Sequence, residues 1–256
     1  MVMWLDYKNE LLSVSSDVVH IWHTRLDCLT HPLETYQHTL SSSEIMRGNR
    51  FINKTDQVKF FQSKAILRQV LSMYLKIRPE KIEFEIGKNG KPYLVNTDLQ
   101  FNLSHSGDFL LIAVTKKNEI GVDVECVRKK QDFLSLAERF FTTSEYEAIK
   151  KLSSENQVAA FYRCWTRKEA FMKATGLGLS FGLSEFEVAV ENLLLTNSAL
   201  LSIKKDNAES KKWTLQSVDM RDFSETYFAA FAVKQAVTSI LYWNYQGESS
   251  SIDSIK

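Results

Sequence analysis

An α+β fold made of two similar lobes is predicted for this chain, and three observations predict it. Apolar residues recur at helical spacing up to Leu75, at Val58, Phe61, Ala65, Ile66, Val70 and Met73. The pattern then changes to period two in IEFEI (82–86), LQFNLSH (99–105), FLLIAVT (109–115) and IGVDVECV (120–127). The same order returns later, as a helical stretch over 156–175 followed by alternating segments at 185–190, 213–218, 227–233 and 239–243. A long helix packed across an antiparallel sheet, formed twice, is the arrangement these patterns suit.

Residues 1–17 are weakly patterned and are expected to be mobile in part. Val18–Leu26 alternates as a strand, with His20 and Trp22 on one face and Ile21 and His23 on the other. His20 and His23 therefore read as ordinary strand residues rather than a metal pair. Ser41–Ser43 offer N-caps for a short helix over Glu44–Asn53, and Thr55 or Asp56 caps the long helix after it. Pro79 closes the following connection, and Asn89-Gly90 marks a tight turn after IEFEI. The four period-two segments that follow are expected to form one antiparallel sheet. In the second half, Phe133–Phe141 and Ser144–Leu152 read as short helices before the long one, which ends at Gly176. Correspondences between the halves include Gln57-Val58 with Gln157-Val158 and Phe84-Glu85-Ile86 with Phe186-Glu187-Val188. The expected lobes are 1–118 and 119–245, with a serine-rich disordered tail over 246–256.

The bulk composition narrows the function. The 256 residues are 44% hydrophobic and 25% charged, as in an ordinary globular protein with enough core to fold unaided. Lysine and arginine total 32 against 31 acidic residues, so the net charge of +1 gives no support for nucleic-acid binding. The three cysteines, Cys28, Cys126 and Cys164, lack metal-ligand spacing and read as free thiols in a reducing compartment. No basic-then-apolar leader opens the chain, and no run of about 18 apolar residues spans a membrane. A cytoplasmic monomer is the expectation. P-loop, dinucleotide-fold and serine-hydrolase signatures are missing from the sequence.

The chemistry-bearing residues lie in two stretches. In the segment over 120–125, Asp123 and Glu125 share one strand face and Val122 and Val124 share the other. Taken alone, that pair reads more readily as a wet strand face than as ligands of an oxygen-liganded cation. Over 161–179 a helix carries Phe161, Trp165, Met172 and Leu177 on an apolar stripe, with Glu169 and Lys173 one turn apart beside it. Glu169 and Lys173 read either as a surface ion pair or as site residues in crowded surroundings. Should the three carboxylates converge, Mg²⁺ sharing substrate phosphates is the expected occupant. Asn102, Ser104 and His105 at a strand end, Lys91 beside Gly90, and Arg47 with Arg50 are further phosphate contacts or, as simply, polar turns and faces.

Together these pieces resemble the Sfp-type 4'-phosphopantetheinyl transferases. The resemblance rests on FNLSHSG (101–107), GVDVE (121–125) and WTRKEAFMK (165–173), in the family's order, with GKP (90–92), RFF (139–141) and GLGL (176–179) in support. It implies two α+β lobes in pseudo-twofold arrangement. It also implies Mg²⁺-dependent transfer of 4'-phosphopantetheine from coenzyme A to a serine of an apo acyl, peptidyl or aryl carrier protein, releasing adenosine 3',5'-bisphosphate. By matching position, Asp123, Glu125 and Glu169 are the implied metal ligands. Glu169, or a water on the metal, is the implied proton acceptor, and Lys173 stabilises the leaving phosphate. Arg47, Gly90, Lys91, Asn102, Ser104 and His105, with Asp123, Glu169 and Lys173, are the implied coenzyme A contacts. Trp165 and Lys168 are expected to hold the helix in place. A non-catalytic carrier- or nucleotide-binding protein and a different Mg²⁺-dependent phosphotransferase are the competing readings.

Overall fold

The computed structural model describes residues 3–7, 12–29, 31–87, 89–128, 132–178, 181–191, 199–204, 207–224 and 226–246. The expected tail beyond Gln246, together with Leu179, lies outside the described residues. Five strands form the first sheet, in the order β1 (Trp4–Asp6), β12 (Ser239–Asn244), β2 (Val18–Arg25), β6 (Phe109–Lys116) and β5 (Leu99–Ser106). β1 and β12 run parallel to their neighbours, and β2, β6 and β5 pair antiparallel. A second, antiparallel sheet has the order β10 (Thr214–Val218), β11 (Tyr227–Val233) and β7 (Ile120–Cys126).

Four strand segments were expected to share one sheet, and the structure divides them among three. β3 (Phe84–Ile86) pairs with β4 (Pro92–Leu94) in a separate hairpin, β5 and β6 stay together, and β7 joins the second sheet. Seven consecutive residues of β11 pair with β7 from Cys126 to Ile120, which is a longer ladder than the hairpin strands offer. The first seventeen residues also hold more order than expected, because Trp4–Asp6 forms β1 on β12.

Two helices of equal length cover the sheets. α3 (Lys54–Leu75) starts at Asn53, whose side chain accepts the amides of Thr55 and Asp56, so the cap lies just before the residues expected to supply it. α3 buries Ile66, Leu67, Val70 and Leu71 against Trp22, Phe101, Ile112 and Val114 of the first sheet. α6 (Ser154–Thr175) buries Phe161, Cys164, Phe171 and Ala174 against Leu215, Ala230 and Ala232 of the second. Between the sheets, Val19, Ile21, Leu111 and Ala113 meet Val122, Val124, Ala229 and Phe231 in a shared core. The layers therefore run helix, sheet, sheet, helix. The shorter helices α2 (Ser42–Gly48), α4 (Phe133–Phe140) and α5 (Thr143–Lys150) brace the long ones, and α2 ends earlier than its apolar pattern suggests. A three-residue strand such as β4 shows no readable period, which is why it escapes a sequence reading.

Candidate active site

The site is built where β7 passes under the last turns of α6. Gly121 makes that approach possible. A Cβ there would stand 2.1 Å from the Ala170 carbonyl oxygen and 2.3 Å from the Ala174 amide, so only glycine lets the helix backbone rest on the strand. Strand alternation then sends Val122 and Val124 into the core between the sheets. Asp123 and Glu125 share the other face, toward α6, as the sequence indicates. Gly176, in the left-handed conformation at φ 64°, ends the helix just past Lys173.

Lys173 connects the two elements. Its Nζ donates to Asp123 Oδ1 at 2.6 Å and to Ser104 Oγ at 2.9 Å, and Ser104 in turn donates to the same carboxylate oxygen at 2.9 Å. Asp123 is 3% exposed, and its second oxygen, Oδ2, is buried without a hydrogen-bond partner among the described residues. Burial pushes the Asp123 carboxyl above its usual range, and the Lys173 ammonium pulls it part of the way back. Glu169 is also held high, first by burial and then by the charge of Asp123, with a smaller push from Glu125. The charges of the strand therefore bear on Glu169 across the strand–helix contact. Among the described residues no three His, Cys, Asp or Glu side chains stand as a ready-made metal cluster, because Lys173 rather than a third carboxylate lies against Asp123.

A cleft of about 270 Å³ opens beside this group and gathers Gly90, Lys91, Asn102, Glu169 and Lys173 from the expected set, with Met172 and Gly178. Lys91 is more engaged than a free phosphate contact. Its Nζ donates to the carbonyls of Ile120 at 2.8 Å and Ala174 at 3.0 Å, and burial lowers its pKa to about 8. With Asn89 donating to the Gly176 carbonyl at 2.6 Å, the β3–β4 turn is strapped to the end of α6. Ser104 is buried behind the cleft, and Glu125 accepts from Ser106 at 2.8 Å.

Arg47 and His105 stand outside the cleft lining. Arg47 is exposed at the end of α2, with its guanidinium 5.6 Å from the centre of the Phe60 ring. His105 is exposed near the end of β5, while partial burial and the charges of Lys173, Lys64 and Lys59 lower its pKa. Lys59 and Lys64, which sequence reading passed over, add positive charge here. Lys64 lies over the same Phe60 ring as Arg47. Trp165 packs on Phe140, Phe141 and Phe161, and Lys168 is fully buried against Glu145, so both are framework residues as expected. Leu177, placed on the apolar stripe by spacing, lies past the helix end and is 43% exposed.

Comparison with known proteins gives the family. A family model described as the 4'-phosphopantetheinyl transferase superfamily matches residues 119–232, and one described as the N-terminal part of 4'-phosphopantetheinyl transferase matches 27–117. The chain is 40% identical over 191 residues to 4'-phosphopantetheinyl transferase HetI of Nostoc sp., covering 73% of this chain and 80% of that protein. It is 34% identical over 155 residues to 4'-phosphopantetheinyl transferase psf-1 of Bacillus pumilus, covering 60% and 65%. With 4'-phosphopantetheinyl transferase Sfp of Bacillus subtilis it shares 31% identity over 156 residues, covering 60% and 68%. The chain belongs to the 4'-phosphopantetheinyl transferase family. It is an enzyme that transfers phosphopantetheine from coenzyme A to carrier proteins.

Proposed function

We propose that the cleft and the carboxylates of β7 and α6 hold the pyrophosphate of coenzyme A with Mg²⁺, and that the phosphopantetheine passes to a serine of an apo acyl, peptidyl or aryl carrier protein. Adenosine 3',5'-bisphosphate is the other product. The observation that carries this reading is the joint Asp123–Ser104–Lys173 contact, with Glu169 one turn from Lys173 and Asp123 Oδ2 buried without a partner among the described residues. A buried Asp123 whose second oxygen has no partner among the described residues, and a half-buried Glu169, both of raised pKa, fit a hard cation with oxygen ligands, and Asp123, Glu125 and Glu169 would hold it. Bound there, Mg²⁺ supplies neutralisation of phosphate charge.

The side chains of the chain divide the remaining work. Glu169, with its pKa raised, takes the proton from the carrier serine as its oxygen bonds to phosphorus. The pyrophosphate bond breaks as that bond forms, and the Lys173 ammonium meets the charge developing on the leaving phosphate. Gly90, Lys91 and Asn102 line the wall along which coenzyme A lies, and Ser104 belongs to the site through Lys173. Arg47 and His105, joined by Lys59 and Lys64, form the basic margin for its remaining phosphate.

The reading includes two lobes, 1–118 and 119–245, in pseudo-twofold arrangement, with β12 of the second range crossing back to pair with β1 and β2 in the first sheet. Matched local devices support it. The capping boxes Ser41/Glu44 and Thr142/Glu145 open α2 and α5, and each glutamate pairs at 2.8 Å with the fifteenth residue of a 22-residue helix, Arg68 or Lys168. A monomer in the cytoplasm is proposed. The free Cys28, Cys126 and Cys164 accord with a reducing compartment, and no described helix is long and apolar enough to cross a membrane.

Intact mass of an apo-carrier incubated with coenzyme A tests the site. Wild type is expected to add one phosphopantetheine only when Mg²⁺ is present, and Asp123→Ala and Glu169→Ala should slow the addition by about 100-fold or more. Full transfer by both variants, or transfer unaffected by chelation, refutes the assignment.

A further inference from the structure

β5 and β7 lie side by side, yet among the described residues no backbone ladder joins them, and the two strands belong to different sheets. Three side chains on alternate residues of β5 take the place of the ladder. Asn102 Oδ1 accepts the Val122 amide at 2.9 Å, Ser104 Oγ accepts the Val124 amide at 3.4 Å, and Ser106 Oγ accepts the Cys126 amide at 3.1 Å. The acceptors and the amides advance together by two residues, so both strands run in the same direction and stay in phase. Buried amides at the seam between the sheets are thereby satisfied without a shared sheet.

The two serines also act on the carboxylates between those amides. Ser104 donates to Asp123 Oδ1 at 2.9 Å, and Ser106 donates to Glu125 Oε2 at 2.8 Å. A hydroxyl has one proton to give and two lone pairs to receive. In Ser104 all three are engaged, since Lys173 Nζ and the Val124 amide both donate to its oxygen. Its proton is thus committed to Asp123. Ser106 holds Glu125 in the same way while its oxygen is anchored by the Cys126 amide. Each serine ties a carboxylate oxygen to a fixed backbone point, which restricts the rotamers open to half-buried Glu125 and adds a second hold, beside Lys173, on buried Asp123.

We propose that Ser106 and Ser104 are positioning residues, which orient Glu125 and Asp123 as cation ligands through the side-chain ladder that joins β5 to β7. This inference rests on the metal reading above. Ser106 is the sharper case, because it touches the site only through Glu125 and the β7 backbone.

The test is Mn²⁺ binding to the free protein, followed by electron paramagnetic resonance, with the melting temperature of each variant as the folding control. Ser106→Ala is expected to weaken Mn²⁺ by about tenfold, as loss of a hydrogen bond to a ligand does elsewhere, and Ser106→Thr to restore it. In transfer assays Ser106→Ala should raise the Mg²⁺ needed for half-maximal rate and leave the KM for coenzyme A in place. A Glu125→Ala background, which removes the acceptor of the Ser106 hydroxyl, separates positioning from packing. There, Ser106→Ala should add nothing further to the loss of Mn²⁺ affinity, whereas a packing role adds the same loss in both backgrounds. If Ser106→Ala is too unstable to purify, Ser104→Ala gives the same comparison through Asp123 in an Asp123→Ala background. Unchanged Mn²⁺ affinity in the serine variant, or an equal loss in both backgrounds, overturns the proposal while leaving the metal reading intact. Wild type that binds no Mn²⁺ and transfers without metal overturns both.

Discussion

Lys173 is the residue on which the site turns. Its ammonium satisfies one oxygen of a buried aspartate, bonds the serine behind it and raises the local potential felt by His105. Lys173→Met should therefore leave Asp123 buried without its main compensating charge and push that carboxyl further up. Transfer to an apo-carrier is expected to fall by about 100-fold, read by intact mass against time. Lys91→Met carries a different expectation, because its ammonium serves the Ile120 and Ala174 carbonyls. Two buried acceptors would lose their donor, at a cost of about 1–3 kcal/mol in urea denaturation. A variant as stable as wild type would show that the strap is unimportant. At this scale the sequence was legible for Asp123 and Glu125, whose shared face follows from strand alternation alone. It was silent on Lys59 and Lys64, and on the Glu125 partner of Ser106, because these contacts join residues far apart in sequence. The Asn102, Ser104, Ser106 period of two was visible, but the strand opposite was not.

Among the elements, α6 and β7 form the pair that makes the site, and Gly121 sets their separation. Gly121→Ala should displace α6 from the strand, lowering stability by about 1–3 kcal/mol in denaturant titration and reducing kcat more than the KM for coenzyme A. Wild-type stability and rate in that variant would mean that the helix yields without consequence. α6 is also fixed from behind by Lys168, which meets Glu145 at 2.8 Å and the carbonyls of Leu183 and Phe186 with no exposure to solvent. Removing one member of such a pair strands a buried charge. Lys168→Met should cost about 3–5 kcal/mol, and Lys168→Met with Glu145→Gln should recover part of it in the same thermal melts. Helices α3 and α6 were readable to within a residue or two because they run long enough to show a period. The strands β1, β4 and β9 (Leu200–Ile203) were not, since three or four residues carry too little pattern.

For the whole molecule, the two buried histidines of β2 make stability depend on pH. His20 is held by Tyr74 on the α3 side, while His23 packs among Trp4, Phe109 and Phe223 on the other side, with neither ring nitrogen partnered among the described residues. Burial lowers both pKa values to about 4. Unfolding lets the rings return to about 6.5, so the unfolded chain binds more protons between those values. Their stabilising contribution is present above about pH 6.5 and is lost as pH falls toward 4, by at most about 3 kcal/mol for each ring. The melting temperature should drop between pH 7 and pH 5, and His23→Phe should flatten that slope. An unchanged slope in His23→Phe would rule out His23 as a source.

What the sequence determined by itself was local: two long amphipathic helices, the strand face that carries Asp123 and Glu125, and the motif order that marks the family. These follow from period and spacing within short windows. Tertiary structure alone decided that β7 leaves its chain neighbours for β11, and that β12 crosses back beside β2. It also decided that Lys173, fifty residues along the chain from Asp123, lies against that carboxylate in the fold. The physical reason is that strand pairing and buried charge are settled by whichever partner satisfies the most backbone and polar groups at once. That competition involves segments far apart in the chain, and no local pattern records its outcome.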